Sequence, residues 1–103
     1  MFKILKNLLS KNTSEIEDAL QKGAVIIDVR TASEFNQGHI PGSKNIPLFE
    51  IKQETEQIKN WKKPVITVCA SGSRSALAKS ALVTAGVEVY NGGSWSHLNT
   101  LIV

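Results

Sequence analysis

Cys69 is the only cysteine in the chain, and it stands in VITVCASGSRSALAKSALVTAG, between four apolar or β-branched residues and an Ala- and Leu-rich segment. The order is strand, thiol, small residues, arginine, helix. In open α/β sheets ligands bind beyond the carboxyl ends of strands, which is where this order puts the sulfur. The backbone N–H groups of Ala70, Ser71, Gly72, Ser73 and Arg74 can turn inward as a nest, and the next helix adds its positive N-terminal end. Gly72 supplies the backbone conformations a tight cradle requires. Ser71 and Ser73 add hydroxyl donors, and Arg74 adds a fixed cation. Each of these favours the thiolate, which is the nucleophilic form. The same donors would hold an oxyanion delivered as substrate. Cys69 is therefore expected to be a nucleophile in an anion cradle. A buried structural thiol is the alternative; the order of elements around Cys69 argues against it. No histidine or aspartate lies beside it in sequence to act as base, and a thiol that is already ionised needs none.

The segments that must position this loop alternate between strand-like and helical patterns. Ser14-Glu15-Ile16-Glu17 reads as a capping box opening a helix with Ile16, Ala19 and Leu20 on one face, stopped by Gly23. AVIID, residues 24–28, is a continuous apolar run of the kind buried on both faces of a parallel sheet. Residues 36–47 are loop-like, with a short extended segment near Ile46. Phe49 to Trp61 predicts a surface helix ended by Pro64. VITV, residues 65–68, is a second buried strand, Ser75 to Ala85 a helix closed by Gly86, and VEVY, residues 87–90, a third strand. Asn91-Gly92-Gly93 reads as a turn, and Ser94 as the cap of a last short helix. The expected class is α/β, with a largely parallel central sheet flanked by helices on both faces.

At 103 residues, 42% of them apolar, the chain allows one compact domain with a real core. A lone cysteine excludes an intrachain disulfide and a multi-thiolate zinc site, and fits a reducing compartment. No stretch approaches a membrane span, and MFKILKNLLSKN, broken by Lys6 and Asn7, is a poor signal peptide. The cytoplasm is the default, with no stable membrane insertion. Residues 1–13 form an N-terminal arm or helix, with Phe2, Leu5, Leu8 and Leu9 at helical spacing, expected to pack on the domain. The net charge of +3 rests on scattered lysines, so a solvated face is expected rather than a nucleic-acid surface.

In IIDVRTASEF, Asp28, Arg30 and Glu34 either form a charged wall of the site or an ion-pair network that fixes the loop after AVIID. The network, with Arg30 and Glu34 as partners, is the preferred reading of those two. Asp28, at the end of a buried strand on the ligand side, stays open between the two. His39, in a Gly-Pro turn, is expected to be a hydrogen-bonded structural histidine. His97 lies outside any motif. Gly92 and Gly93 serve backbone geometry, and Trp95 packs on the core.

VIIDVRTASEFNQGHIPGSKNIP, VITVCASGSRSALAKSALVTAGV and VYNGGSW, together spanning about residues 24 to 95, resemble the rhodanese-like domain family of sulfurtransferases. The resemblance implies a single rhodanese-like domain over 1–103 and a double displacement without metal or organic cofactor. Cys69 would take a sulfane sulfur from a small-molecule or protein-bound donor such as thiosulfate, and pass it from a persulfide to cyanide or a thiol. It implies that Ala70 through Arg74 cradle the sulfur, and that Asp28 and Arg30 support the fold around the pocket. Cysteine phosphatases of related fold have five residues between Cys and Arg; here Cys69 and Arg74 enclose four, a ring sized for sulfur rather than phosphate. One departure is Ala70, where many active members carry a basic residue. A persulfide carrier or sulfur-relay protein with little activity on thiosulfate is therefore the alternative. With no second cysteine, a persulfide on Cys69 must leave to another molecule.

Overall fold

The computed structural model describes residues 11–102. The amphipathic pattern at residues 2–9 lies outside them. In chain order the elements are α1 (Lys11–Gln21), β1 (Val25–Asp28), α2 (Ala32–Asn36), β2 (Lys44–Asn45), a 3-10 turn at Leu48–Glu50, α3 (Ile51–Asn60), β3 (Val65–Cys69), α4 (Ser73–Thr84), β4 (Val89–Ser94) and α5 (Trp95–Leu101). The strands form one four-stranded sheet in the order β2-β1-β3-β4, and every neighbouring pair is parallel. The α/β class with helices on both faces is as the sequence pattern predicts.

The central strands are apolar throughout because both faces are covered. All five residues of β3 are buried. Side chains alternate between faces along a strand. Ile26, Ile66 and Val68 therefore join Ile16, Ala19 and Leu20 of α1 and Leu98 and Leu101 of α5 in one core cluster. Ile27, Val65 and Cys69 join Ile51 and Ile58 of α3 and Ala78 and Leu82 of α4 in the other. The cysteine thus points to the α3/α4 side. Gly86, with φ +96, closes α4: its N–H donates to the Val83 carbonyl, and the next N–H, of Val87, reaches the Leu82 carbonyl.

The structure departs from the sequence pattern at several places. α1 is already helical at Lys11, so Ser14 lies inside it and no capping box forms there; Lys11 to Thr13 hold no glycine or proline to delay the start. The capping box falls instead at α2, where the Thr31 hydroxyl accepts the Glu34 N–H and the Glu34 carboxylate accepts the Thr31 N–H. Asn91-Gly92-Gly93 is not a turn. β4 runs through it, with Thr67 opposite Asn91 and Val68 opposite Gly93, so Gly92 is the extra residue of a bulge. The two glycines serve that bulge and a close approach rather than a chain reversal. A Cβ on Gly92 would stand 2.8 Å from Ile66 Cγ2 and 2.9 Å from Val68 Cγ1.

Gly92→Ala therefore overpacks the contact between β4 and β3. We expect a loss of about 1–3 kcal/mol of stability in denaturant unfolding. An unchanged midpoint would show that β4 does not need the close approach.

Candidate active site

β3 delivers Cys69 to the carboxyl edge of the sheet, in register with Ser94 of β4. The residue is fully buried. Three residues, Ala70 to Gly72, separate it from the first turn of α4. Its Sγ accepts the Gly72 N–H at 2.9 Å and the Ser75 N–H at 3.4 Å. Gly72 makes its bond from a left-handed conformation, φ +106, that side chains rarely adopt. As a thiol, Sγ donates to the Ser75 hydroxyl at 3.5 Å. Burial is the largest influence on the Cys69 thiol and pushes its pKa up. The Ser75 hydroxyl and the N–H groups of Ser75, Gly72 and Ser71 pull it down and together prevail, so the thiol ionises below its ordinary value of 9.0.

The expected cradle runs from Ala70 to Arg74; the hydrogen-bonding sequence continues one residue further, to Ser75. The sequence pattern begins the helix at Ser75 and ends the cradle at Arg74, although the first N–H groups of any helix lack an intrahelical partner. α4 begins at Ser73, so Ser75 is in the first turn, where backbone N–H groups have no partner inside the helix. The unpaired N–H groups of a helix's first turn, directly after Cys69, are the signal that could have found it. The hydroxyls of Ser71 and Ser73 face each other at 3.4 Å, in exposed positions, and Ala70 is exposed. Behind the loop, Thr67 of β3 donates to the Ser75 carbonyl at 2.9 Å. Asn91 of β4 joins the same group: its Oδ1 accepts the Ser75 hydroxyl at 2.7 Å and the Gly93 N–H at 2.9 Å, and its Nδ2 donates to the Gly72 carbonyl at 3.3 Å. Reading NGG as a turn concealed this residue.

The ion pairs are arranged differently from the expected partnership of Arg30 and Glu34. Arg30 pairs with Asp28, donating from Nη2 to Oδ2 at 2.7 Å and from Nε to Oδ1 at 2.9 Å, both residues being buried. Two residues apart in extended chain, they lie on one side of it, and the buried carboxylate takes the nearest cation. Arg30 also donates to the Gly38 carbonyl at 2.7 Å and lies 4.6 Å from the centre of the Trp95 ring. Its only hydrogen bond to Glu34 is to the backbone carbonyl, at 3.3 Å. The Glu34 carboxylate instead holds Arg74 in a two-pronged pair, at 2.8 and 3.0 Å. That bond, with help from the Thr31 N–H, draws the Glu34 pKa from its ordinary 4.5 down to about 2. The guanidinium that was to face the sulfur is thus engaged. His39 stacks on Phe35 at 3.7 Å, with Nδ1 2.8 Å from the Phe35 carbonyl, a structural placement.

Beside Arg74 lies a hollow of about 380 Å³ lined by Val29, Thr31, Pro47, Leu48 and Phe49. Phe49 is 76% exposed. Among the described residues no group of three or more His, Cys, Asp or Glu could hold a metal, and no helix is long and apolar enough to cross a membrane.

The sequence profile of the rhodanese-like domain matches residues 12–96, which include the sheet and the cysteine loop. The chain belongs to the rhodanese-like domain family, a family of sulfur-transfer proteins. It is 40% identical over 90 residues to the uncharacterized protein YqhL of Bacillus subtilis, covering 86% of this chain and 68% of that one. It is 33% identical over 96 residues to thiosulfate sulfurtransferase 18 of Arabidopsis thaliana, covering 81% and 71%. The crystal structure of a rhodanese-like domain protein from Staphylococcus aureus superposes with a TM-score of 0.69 at 33% identity, covering 84% of this chain and 85% of the other.

The Glu34–Arg74 pair makes a pH-dependent contribution whose sign follows from the lowered Glu34 pKa. It is fully present above the unfolded value near 4.5 and is lost as the pH falls towards about 2. Native protein and Glu34→Gln should therefore differ in stability above that window and converge through it. A difference that stays constant as the pH falls would show that the carboxylate's charge contributes nothing.

Proposed function

We propose that this protein is a sulfurtransferase that carries sulfane sulfur as a persulfide on Cys69. The observation that carries the reading is the sulfur's setting, a buried thiol at a strand end that accepts N–H groups from Gly72 and Ser75. In the first step the Cys69 thiolate attacks the outer sulfur of the donor. The donor's S–S bond breaks and its electron pair leaves with the remainder, sulfite if the donor is thiosulfate. A new S–S bond now joins Cys69 to the transferred sulfur. In the second step an acceptor thiolate or cyanide attacks that outer sulfur, and the Cys69 thiolate is the leaving group. The Gly72 and Ser75 donors stabilise the anion at the start and end of the cycle. Ala70, Ser71, Ser73 and Arg74 complete the loop that surrounds the transferred atom, and Asp28, Arg30 and Glu34 hold its flanks. No metal or organic cofactor takes part. A thiol acceptor and a lone cysteine suit a reducing compartment, and we place the protein in the cytoplasm.

A second reading, a persulfide carrier with little activity on thiosulfate, is favoured by one observation. Arg74 is the loop's one cation and is already paired with Glu34, while Ala70 offers none. A dianionic donor then has little to bind it, whereas a protein-bound persulfide can seat beside the loop through the apolar hollow at Leu48 and Phe49.

Intact mass after incubation with excess thiosulfate, then cyanide, tests the cycle, with Cys69→Ser in parallel. The native chain should gain one sulfur and release it as thiocyanate, and the variant should gain none. Loading by a protein persulfide but not by thiosulfate selects the carrier reading. Failure of both donors to load Cys69 overturns the sulfur-transfer reading, and release of phosphate from an aryl phosphate would point to the phosphatase chemistry instead.

A further inference from the structure

The Ser75 hydroxyl has one proton and several neighbours that compete for it. Asn91 Oδ1 is 2.7 Å away, the Gly72 carbonyl 3.0 Å and the Cys69 sulfur 3.5 Å. The Asn91 amide cannot be turned over without loss, because the Gly93 N–H at 2.9 Å requires an acceptor there and a turned amide would set its oxygen against the Gly72 carbonyl at 3.3 Å. Its oxygen therefore faces Ser75. In this arrangement the Ser75 proton belongs to Asn91, and the Ser75 oxygen is left to accept from the Cys69 S–H.

We propose that Asn91 is a positioning residue that sets the ionisation of Cys69 through Ser75: its Oδ1 holds the Ser75 hydroxyl in the thiol state and yields it to the sulfur when the thiolate forms. On ionisation the sulfur's proton leaves to solvent. The Ser75 proton stays on its own oxygen and turns from Asn91 to the sulfur, which has become the stronger acceptor. Asn91 Oδ1 keeps the Gly93 N–H, so the turn leaves no orphaned acceptor. Asn91 thus competes with the thiolate for one donor and holds the thiol form in reserve. This rests on the reading of Cys69 as the reactive thiol.

The other groups around the sulfur do not perform this function. α4 contributes Arg74, held by Glu34 of α2, and β1 contributes Asp28, held by Arg30 just beyond it. The ionisable side chain of β4, Tyr90, packs with the opposite face's cluster and donates to Glu88. α3 presents Ile51 and Ile58 to the cluster that contains Cys69.

The experiment is a pH titration of thiolate absorbance in the far ultraviolet, on the full chain. With a single cysteine, and with the one tyrosine, Tyr90, pushed up to about 12 by its bond to Glu88, the signal below that pH belongs to Cys69. Asn91→Ala removes the competing acceptor and should move the midpoint down by roughly 0.5–1 pH unit. Asn91→Asp supplies a stronger, charged acceptor and should move it up. Circular dichroism confirms that each variant is folded. In a Ser75→Ala background, Asn91→Ala should have no further effect. A residue that only braced the loop would loosen the N–H donors when removed, and Asn91→Ala would then raise the midpoint. That result, an unchanged midpoint, or a downward shift that persists without the Ser75 hydroxyl overturns the proposal. The titration involves no sulfur donor, so its failure is distinct from a failure of Cys69 to load with sulfur.

Discussion

The sulfur of Cys69 sits between two opposing influences, and the rest of the structure is arranged around their balance. Burial on the α3/α4 side of the sheet disfavours a charged sulfur. The N–H groups of Gly72 and Ser75 and the Ser75 hydroxyl favour it, and they prevail. Neither half suffices alone. A buried thiol without donors is a small hydrophobe; donors around an exposed thiol would compete with water for it. The combination makes a sheltered sulfur easier to ionise, as the proposed role of Cys69 requires.

Each element near the site supports one part of that balance. β3 is buried along its whole length, which fixes where its last residue lies. Gly72 turns the chain so that its own N–H points back at the sulfur, and the place of Ser75 in the first turn of α4 leaves its N–H free to do the same. Thr67 and Asn91 hold the loop from behind, from β3 and from the bulge in β4. The two arginines hold the loop's flanks rather than the sulfur, Arg30 through Asp28 and Arg74 through Glu34. The charge stabilisation is therefore built from backbone and hydroxyl dipoles, and these ask less of a substrate's own charge than a free guanidinium would.

The sequence carries this unevenly. AVIID, VITV and the Ala/Leu-rich helix are legible because a strand buried on both faces and a helix after it leave distinct local patterns, and with them the place of Cys69 at a strand end. The Arg74–Glu34 pair joins residues 40 positions apart, and nothing in either local segment prefers it to the nearer Arg30. Ser75 was missed because the expected cradle stopped at Arg74, although the first-turn N–H groups of the following helix are equally unpaired. Asn91 was hidden because a glycine pair serves a reversal and a bulge equally well, and only the packing of Gly92 against Ile66 and Val68 decides between them. Local periodicity fixes elements; contacts across the sheet assign partners, and the site is made of those.

The central claim is that this fold ionises Cys69. The most direct measurement is the S–H stretching band in the Raman spectrum followed against pH, since the single cysteine makes the band its own reporter. The account predicts that the band disappears with a midpoint below the ordinary value of 9.0. A band that persists to that pH or beyond would mean that burial prevails over the donors, and that the fold shelters a thiol rather than a thiolate.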